Sequence, residues 1–460
     1  MAKAKRFLCV LLLLVSNGST VTSSAGKPKT QVLIIAVDAI PYGVAKSLMQ
    51  TKQERPVVFK GMHQPIALIN AFPANSDLAW TAILEPFGIA RPMGYEARYF
   101  DKKKKIVIGG DSLIEPHSPW KDFFDWRLKG VVTGAIAYGW SKKFSIKEFK
   151  TGLDAFLHSA KPVFSIYIIS TDGVGHIYGP RAQRTVLETI ARGLAQFRKE
   201  HPDRRFHTVI LSDHGMAGDG KALKNTWVDV RRAIRKAGFR LRQTQKRPED
   251  VVMIPYGLLS SFVIYSYPEK STELARAVVP VPGVDLCVTA EKTSWMVHNV
   301  KGRARIDRRY RNGHYEWRYQ VQGADPLSYL SVIKQLQRTT ASAKASWFPD
   351  DLWLRQTRHH YYPDALYRIS RAFSLVKNPA SVVCSVAPGH MFGALTTEYV
   401  ARMTIGRLRW THGALDRQSS LGFVLHDLPD GPRGDVMRFN QVLQPLLKYG
   451  RKEAKVGENQ

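Results

Sequence analysis

The sequence has little cysteine, with three residues in a chain of 460. Cys9 lies inside an N-terminal apolar stretch, which leaves Cys287 and Cys384 for the folded chain. Neither belongs to a Cys-x-x-Cys pair, and this argues against a thiolate metal site. Both lie in apolar segments, so they either form one disulfide, which an oxidising compartment would permit, or remain two buried thiols. The sequence alone does not decide between these alternatives.

Long apolar runs are missing after the N-terminus. No window of 18 residues beyond residue 30 is apolar throughout, so we predict no transmembrane segment in the mature chain. The N-terminus itself has a basic start, a short apolar stretch and then small residues, a pattern typical of a signal peptide. We therefore predict a signal peptide over residues 1–25 and a periplasmic or secreted protein. An uncleaved N-terminal anchor is the alternative.

Acidic residues are few relative to basic ones: 38 Asp and Glu stand against 68 Lys and Arg, which gives a formal charge of +30. The predicted signal peptide has three basic and no acidic residues, so its removal lowers the charge to +27. Such a charge attracts anionic substrates and surfaces, although a solvated basic surface explains it equally well. Only Lys102–Lys105 forms a dense run. We expect no specific nucleic-acid recognition.

Three apolar runs each lead into an aspartate. They are Val32–Val37 before Asp38, Val163–Ile169 before the segment with Asp172, and Thr208–Leu211 before Asp213. Uninterrupted apolar runs of this length are typical of parallel strands that are buried on both faces. Because ligands bind outside the carboxyl ends of such strands, aspartates at three of these ends indicate a functional site.

The remaining pattern indicates strands alternating with helices. Arg184–Lys199 has helical spacing, and alternation of this kind favours a parallel sheet. Residues 217–385 differ, because Val251–Ser266 is rich in β-formers and Arg303–Val321 indicates a hairpin that turns at Asn312-Gly313. We predict an α/β fold with a mostly parallel central sheet flanked by helices. One catalytic domain would span residues 26–460, with an antiparallel, cap-like subdomain inserted at about 217–385.

Aspartate and histidine residues suggest a metal centre. Asp172 and His176 are four residues apart, so one helical turn places both side chains on the same face. Asp213 and His214 are adjacent just after a strand. Each residue alone has an ordinary structural explanation as a cap or a surface residue. Together with Asp38 and His412 they make three carboxylates and three imidazoles, which suit two zinc-like ions with positions left open for substrate.

Ser76 is the candidate nucleophile. Contact with a divalent ion lowers the pKa of a serine hydroxyl and so activates it. The segment Phe72–Ser76 places this serine at the start of a helix over Leu78–Leu84, where backbone amides favour a phosphate oxygen. A role for Ser76 as the N-cap of that helix is a compatible alternative.

These features form motifs that occur in a fixed order along the chain. They are Val37-Asp38, Phe72-Pro-x-x-Ser76, Asp172-Gly-Val-Gly-His176, Leu211-Ser-Asp213-His214-Gly-Met216 and Thr411-His412-Gly413. In this order they resemble the alkaline phosphatase superfamily, and within it the type I phosphodiesterase/nucleotide pyrophosphatase branch. The resemblance implies an alkaline-phosphatase-like fold and a phosphoric ester hydrolase that uses two divalent ions, which we expect to be Zn²⁺.

The resemblance also implies roles for individual residues. One metal site would be held by Asp172, His176 and His412. The other would be held by Asp38, Asp213, His214 and the Ser76 oxygen. Ser76 would be the nucleophile that forms a covalent phosphoserine.

The sequence departs from this branch at two places. The nucleophile of the branch is usually threonine, and serine is shared with phosphomonoesterases. The branch also has a downstream asparagine that holds a phosphate oxygen, and Met93–Tyr99 contains none. We predict that Arg98 takes this role, because guanidinium binds phosphate oxygens in pairs; a surface salt bridge is its alternative.

The function predicted from the sequence is that of a phosphodiesterase/nucleotide pyrophosphatase. Its substrate would be a small, nucleotide-like phosphate ester. A phosphomonoesterase that uses the same site is the alternative, and a non-catalytic binder of anionic ligands is a third possibility. Trp317 and its aromatic neighbours on the predicted hairpin would either stack on a base or pack across the strands.

Overall fold

The computed structural model describes residues 30–50, 59–109, 118–129, 140–218, 227–255, 257–340, 344–394, 399 and 408–449. The predicted signal peptide, residues 1–25, lies outside the described residues. Among the helices of the described ranges, none has the length and apolar character needed to cross a membrane.

A central sheet is built from seven strands in the described residues. Across the sheet these are β18 (Val436–Arg438), β2 (Ile66–Ile69), β17 (Leu421–His426), β7 (Phe206–Ser212), β1 (Gln31–Val37), β6 (Val163–Ile168) and β5 (Trp126–Arg127). Strand β17 is antiparallel to β2 and β7, and the other pairs are parallel. The prediction of a mostly parallel central sheet is therefore confirmed.

Strands β1, β6 and β7 lie side by side at the middle of this sheet. Their apolar runs are almost completely buried, as expected for strands covered on both faces. Ile35 of β1 pairs with Ile166 of β6 and with Ile210 of β7, so the three carboxyl ends finish at the same edge. This register places the residues that follow the strands next to one another.

Helices cover both faces of the sheet. The first four are α1 (Tyr42–Gln50), α2 (Ser76–Leu84), α3 (Ser141–Leu157) and α4 (Ser170–Glu200). Helix α4 contains the predicted helical segment and begins directly after β6. The helix kinks at Gly179, which has a positive φ of 72° and is followed by Pro180. Helices α1, α3 and α4 pack on one face of β1, and α2 packs on the other.

Seven further helices lie within the described ranges. They are α5 (Arg231–Lys236), α6 (Ser271–Val278), α7 (Leu330–Thr339), α8 (Asp350–Thr357), α9 (Ala365–Ala372), α10 (Arg417–Ser420) and α11 (Phe439–Val442).

A second sheet is formed by nine strands of the described residues. In chain order these are β8 (Arg240–Leu241), β9 (Asp250–Met253), β10 (Ser261–Tyr265), β11 (Val284–Glu291), β12 (Ser294–His298), β13 (Gly302–Arg311), β14 (His314–Gly323), β15 (Phe348–Pro349) and β16 (Val382–Val386). Apart from the β8–β9 pair, their pairings are antiparallel. The antiparallel character of this region is as expected, while its boundaries at 217 and 385 stay a prediction. Strands β3 (Tyr99–Asp101) and β4 (Ile106–Ile108) form a separate small hairpin.

The hairpin of β13 and β14 turns where the sequence predicts. Asn312 and Gly313 both have positive φ, 51° and 82°, as a type I′ turn requires. Cys287 on β11 and Cys384 on β16 are opposite each other on neighbouring strands, and they form a disulfide. The sequence left open whether these cysteines form a disulfide or remain thiols. The pairing of β11 with β16 decides this, because it brings together two cysteines that are 97 residues apart in the chain.

We expect the disulfide to contribute substantially to stability. Replacing both cysteines by alanine should lower the free energy of unfolding by about 2–5 kcal/mol, because the cross-link restricts the unfolded chain. Urea unfolding with and without reductant measures this, and the double variant should not respond to reductant. Labelling of two free thiols in the denatured, unreduced protein would contradict the bond.

Candidate metal centre and nucleophile

Three buried aspartates meet at the carboxyl ends of β1, β6 and β7. Asp38 follows β1, Asp213 follows β7, and Asp172 lies in the first turn of α4, just after β6. Asp213 Oδ1 accepts a hydrogen bond of 3.0 Å from the backbone N–H of Ala39. The parallel register of the strands is thus what brings these carboxylates together.

The aspartates and histidines form two groups. Asp172, His176 and His412 make one, and Asp38, Asp213 and His214 make the other; within each group one ligand atom per residue lies within 4.8 Å of the others. These are the two sets of residues that the sequence predicts. The rings of His214 and His412 stack with centroids 3.9 Å apart, so the groups adjoin.

Within each group, the carboxylate oxygens and the Nε2 atoms are close enough to face a common point. Asp172 Oδ1 lies 3.4 Å from His176 Nε2 and 3.6 Å from His412 Nε2. His214 Nε2 lies 3.4 Å from Asp213 Oδ2 and 3.6 Å from Asp38 Oδ1. In both groups the Nε2 atoms face the carboxylates.

Backbone carbonyls fix how the three histidine rings are protonated. In each ring Nδ1 donates to a carbonyl oxygen, which can only accept, so the proton of the neutral ring sits on Nδ1 and Nε2 keeps its lone pair. The bonds are His176 to Trp410 at 2.8 Å, His412 to Ala74 at 2.9 Å and His214 to Gly215 at 3.1 Å. Orientation of this kind is what metal-binding histidines receive from their surroundings.

Burial also shifts the pKa values of several residues of the centre. It lowers the pKa of His214 to about 4 and that of His412 to about 3, so both rings are neutral near pH 7. Burial raises the pKa of Asp213 to about 6, and burial together with Asp213 and Asp172 raises the pKa of Asp38 well above its usual value. Asp213 Oδ2 is buried without a hydrogen-bond donor. Neutral imidazoles and under-compensated carboxylates are a donor set that fits divalent cations.

Ser76 is the first residue of α2 and lies against the second group. The N-cap is Asn75, whose Oδ1 accepts from Leu78 N at 3.1 Å, so the suggestion that Ser76 caps this helix is wrong. The Ser76 hydroxyl is therefore available, and it lies 3.3 Å from Asp38 Oδ1 and 3.3 Å from His214 Nε2. Ser76 therefore lies both at the N-terminus of a helix and next to the ligand atoms of the second group.

Arg98, which the sequence predicts as a phosphate-binding residue, is not joined to this cluster in the described residues. Its side chain is half-buried, and its Nε is buried without a hydrogen-bond partner. No hydrogen bond or ion pair of the described chain connects it to Ser76. A catalytic role for Arg98 stays a prediction.

Glu96 is a residue near the centre that the sequence analysis missed. Its Oε1 accepts a hydrogen bond of 2.9 Å from Gly257 N, and burial raises its pKa to about 7. The segment beginning at Gly257 reaches the His412 loop, because Ser260 N donates to His412 O at 2.7 Å. A glutamate in a loop carries no sequence signal, so only the fold reveals this position.

Tyr167 is a second residue that was missed. It lies on β6, and its hydroxyl donates a hydrogen bond to Asp38 Oδ2. Trp80, Trp120 and Phe124 pack around its ring. In the sequence Tyr167 is one residue of an apolar run, and such a residue is ordinarily part of the core. Its hydroxyl instead orients a carboxylate of the candidate metal centre.

We expect Tyr167→Phe to lower metal affinity or turnover by about 10- to 100-fold, as loss of a partner of a metal ligand does. The variant removes one of two side-chain donors from the buried Asp38 carboxylate, leaving that of Ser76, while it keeps the aromatic packing. Bound metal after dialysis and kcat/KM on a phosphodiester measure the effect. Tyr265→Phe is the matched control, because it removes a hydroxyl that donates to Asn378 O in the core. Equal metal content and activity in both variants would contradict the positioning role.

Comparisons with known proteins bear on the family. The family model "Type I phosphodiesterase / nucleotide pyrophosphatase" matches residues 42–311, more than half of the chain. No curated protein matches the chain significantly. Among solved structures, human and murine ectonucleotide pyrophosphatase / phosphodiesterase 5 each match with 11% identity and a TM-score of 0.46, over 91% of this chain and 94% of theirs. An inactive variant of the murine protein in complex with AMP matches at 10% identity, with the same coverage and TM-score. By the family match, the chain belongs to the type I phosphodiesterase / nucleotide pyrophosphatase family of the alkaline phosphatase superfamily, whose members are metal-dependent phosphoric ester hydrolases.

Proposed function

We propose that the protein is a periplasmic or secreted phosphodiesterase/nucleotide pyrophosphatase-type hydrolase that acts through a covalent phosphoserine at Ser76. The observation that supports this most directly is the position of the Ser76 hydroxyl. It lies at the N-terminus of α2 and 3.3 Å from both Asp38 Oδ1 and His214 Nε2. A serine that only capped a helix would direct its oxygen to the backbone.

The side chains around Ser76 perform distinct tasks in this proposal. Asp38 accepts the hydrogen bond of the hydroxyl and so orients its oxygen, and Tyr167 in turn orients Asp38. The backbone amides of the first turn of α2 favour the negative charge of a phosphate. Divalent ions bound by the two groups, which we expect to be two Zn²⁺, would lower the pKa of the hydroxyl and neutralise phosphate charge.

The reaction would proceed in two displacements at phosphorus. Ser76 Oγ forms a bond to phosphorus and its proton passes to solvent, while the bond from phosphorus to the leaving oxygen breaks and that oxygen keeps the electron pair. Water then attacks the phosphoserine, and the serine oxygen leaves and regains a proton. Covalent catalysis of this kind divides one difficult step into two easier ones.

The first test is hydrolysis of bis-p-nitrophenyl phosphate and p-nitrophenyl phosphate by the purified protein, with and without Zn²⁺ after chelation. Ser76→Ala should lower turnover by more than about a thousandfold, as removal of a nucleophile does. Ser346→Ala, an exposed serine on a loop, is the matched control. Turnover that survives in Ser76→Ala would exclude the covalent mechanism. If the protein neither binds a divalent ion nor requires one for turnover, the two-ion centre is excluded.

The ratio of the two rates decides between the candidate substrates. A phosphodiesterase cleaves the diester faster, whereas a phosphomonoesterase cleaves the monoester faster. The monoesterase remains a second candidate because the proposed nucleophile is a serine, as in phosphomonoesterases. A protein that binds anions without turning over either ester would instead fit the non-catalytic alternative.

Glu96 supports the diester preference. Its segment is connected to the centre through Gly257 and the bond from Ser260 N to His412 O. Its pKa of about 7 means that it becomes anionic as the pH rises through neutrality, and we propose that this charge disfavours a monoester dianion more than a diester monoanion. We expect the ratio of diester to monoester cleavage to rise between pH 6 and pH 8, on the order of several-fold. Glu96→Gln should abolish this rise.

Arg98→Gln is the matched comparison for Glu96→Gln, because it removes a cation from the same segment. If Arg98 binds phosphate, kcat/KM should fall roughly ten- to a hundredfold on both esters, which is the cost of one charge-assisted hydrogen bond. An unchanged kcat/KM in Arg98→Gln would exclude a phosphate-binding role for Arg98. A ratio that depends on pH in the same way in Glu96→Gln and wild type would remove Glu96 from substrate selection.

A further inference from the structure

A cleft of about 430 Å³ opens on the antiparallel sheet, away from the residues of the candidate metal centre. It lies between the C-terminal end of α6 and the turn that joins β12 to β13. Arg276 lines it from α6, His298 from β12, Lys301 and Arg303 from the turn and β13, and Gln322 from β14. No residue of the two aspartate and histidine groups lines this space. We call it the arginine cleft.

Strand pairing explains why these side chains share one face of the sheet. His298 is opposite Arg303, and Arg303 is opposite Gln322. Residues that are directly opposite on antiparallel strands point to the same side. One side of the cleft is therefore built on a regular sheet face, while Arg276 comes from α6 and Lys301 from the turn between β12 and β13.

The charge of the arginine cleft is not balanced by the chain. Arg276, Lys301 and Arg303 line it, and its described lining contains no Asp or Glu. These three cations have no acidic partner among the ion pairs of the described chain. Neighbours on the same hairpin differ, because Arg305 and Arg318 both pair with Asp307 at 2.8 and 2.9 Å. Three like charges around one concave space create a positive potential that a bound anion would relieve.

His298 supplies the independent observation that points to a ligand. Its side chain is 4% exposed, and its Nε2 is buried without a hydrogen-bond partner in the described chain. Buried polar atoms are almost always partnered, so His298, which lines the cleft, has unmet hydrogen-bonding capacity beside the three cations. Burial, and then Arg276 and Arg303, lower the pKa of His298 to about 4. The ring is therefore neutral near pH 7.

We propose that the arginine cleft binds a phosphate or phosphomonoester anion as a second site, distinct from the catalytic centre. Arg276, Lys301 and Arg303 balance its charge, and the His298 side chain lies beside them in the lining of the cleft. A carboxylate, with one charge and two oxygens, would leave cations uncompensated, whereas a phosphate dianion offers more acceptors for these donors. The volume also accommodates a small organic group on the phosphate.

Titration calorimetry of the metal-loaded protein with inorganic phosphate, at ionic strength fixed with chloride, tests the proposal. We expect a class of one phosphate per chain that weakens roughly tenfold or more in Arg303→Gln and in Arg276→Gln, because each removes a charge-assisted hydrogen bond. Turnover of bis-p-nitrophenyl phosphate should stay unchanged in both variants. Lys301→Gln, in an exposed turn, gives a third variant with little effect on folding.

Arg311→Gln is the matched control, because it makes the same change of charge at the exposed end of the β13–β14 hairpin, outside the cleft. Phosphate binding that is identical in wild type and Arg303→Gln would place all of the phosphate at the catalytic centre and overturn the proposal. A loss of equal size in Arg311→Gln would also overturn it, since general positive charge would then explain the binding.

The phosphate group could belong to a soluble compound or to a lipid headgroup, and vesicles separate the two. Binding to phosphatidic acid vesicles, but not to phosphatidylcholine vesicles, that is lost in Arg303→Gln would assign the site to a lipid headgroup. Phosphate binding at the cleft without vesicle binding would assign it to a soluble phosphorylated compound. Binding of neither probe at the cleft would overturn the proposal.

Discussion

Three buried carboxylates that lie close together are the constraint on which the rest of the site depends. Two unit charges about 4 Å apart interact by about 4 kcal/mol at an effective dielectric constant of 20, so Asp38, Asp172 and Asp213 repel one another strongly when ionised. The imidazoles of His214 and His412 are neutral near pH 7 and do not supply the missing positive charge. Burial, and then Asp213 and Asp172, raise the pKa of Asp38, whereas burial alone raises the pKa of Asp213. Divalent cations are the counter-charge that the donor set fits.

The fold connects the nucleophile to the histidines through a short backbone link. His412 Nδ1 donates to Ala74 O, and Ala74 N donates to Gly413 O at 3.0 Å. The segment that leads into Ser76 is thus bonded in both directions to the loop of His412. Because Ser76 contacts the second group and His412 belongs to the first, this link sets the spacing between the groups. Segments that are far apart in the sequence are therefore joined next to the nucleophile.

The sequence predicts those features that depend on local pattern. Buried strands appear as uninterrupted apolar runs, and the spacing of Asp172 and His176 anticipates their common helix face. The turn at Asn312-Gly313 follows from the backbone conformation that these residues allow. These predictions hold because strand burial, helical spacing and turn geometry all act between near neighbours in the chain.

Features that depend on distant contacts could not be predicted. The disulfide needed the pairing of β11 with β16, and the hydrogen bond from Tyr167 to Asp38 needed the register of β6 against β1. Asn75 displaced Ser76 as the helix cap because its amide also reaches Tyr95 O, a partner that no spacing rule indicates. The arginine cleft likewise depends on the pairing of β12 with β13 and on the placement of α6.

The balance of charge at the centre also bears on how many ions it would hold. Three carboxylates and two divalent ions leave one net positive charge while Ser76 keeps its proton, and that charge attracts a phosphate ester. A single divalent ion would leave one net negative charge, which repels it. The strongly basic chain attracts anions towards its surface. Salt screens the attraction of such surface charges beyond about 10 Å. Binding of substrate next to buried aspartates therefore requires local compensation, which two ions would provide and a single ion would not.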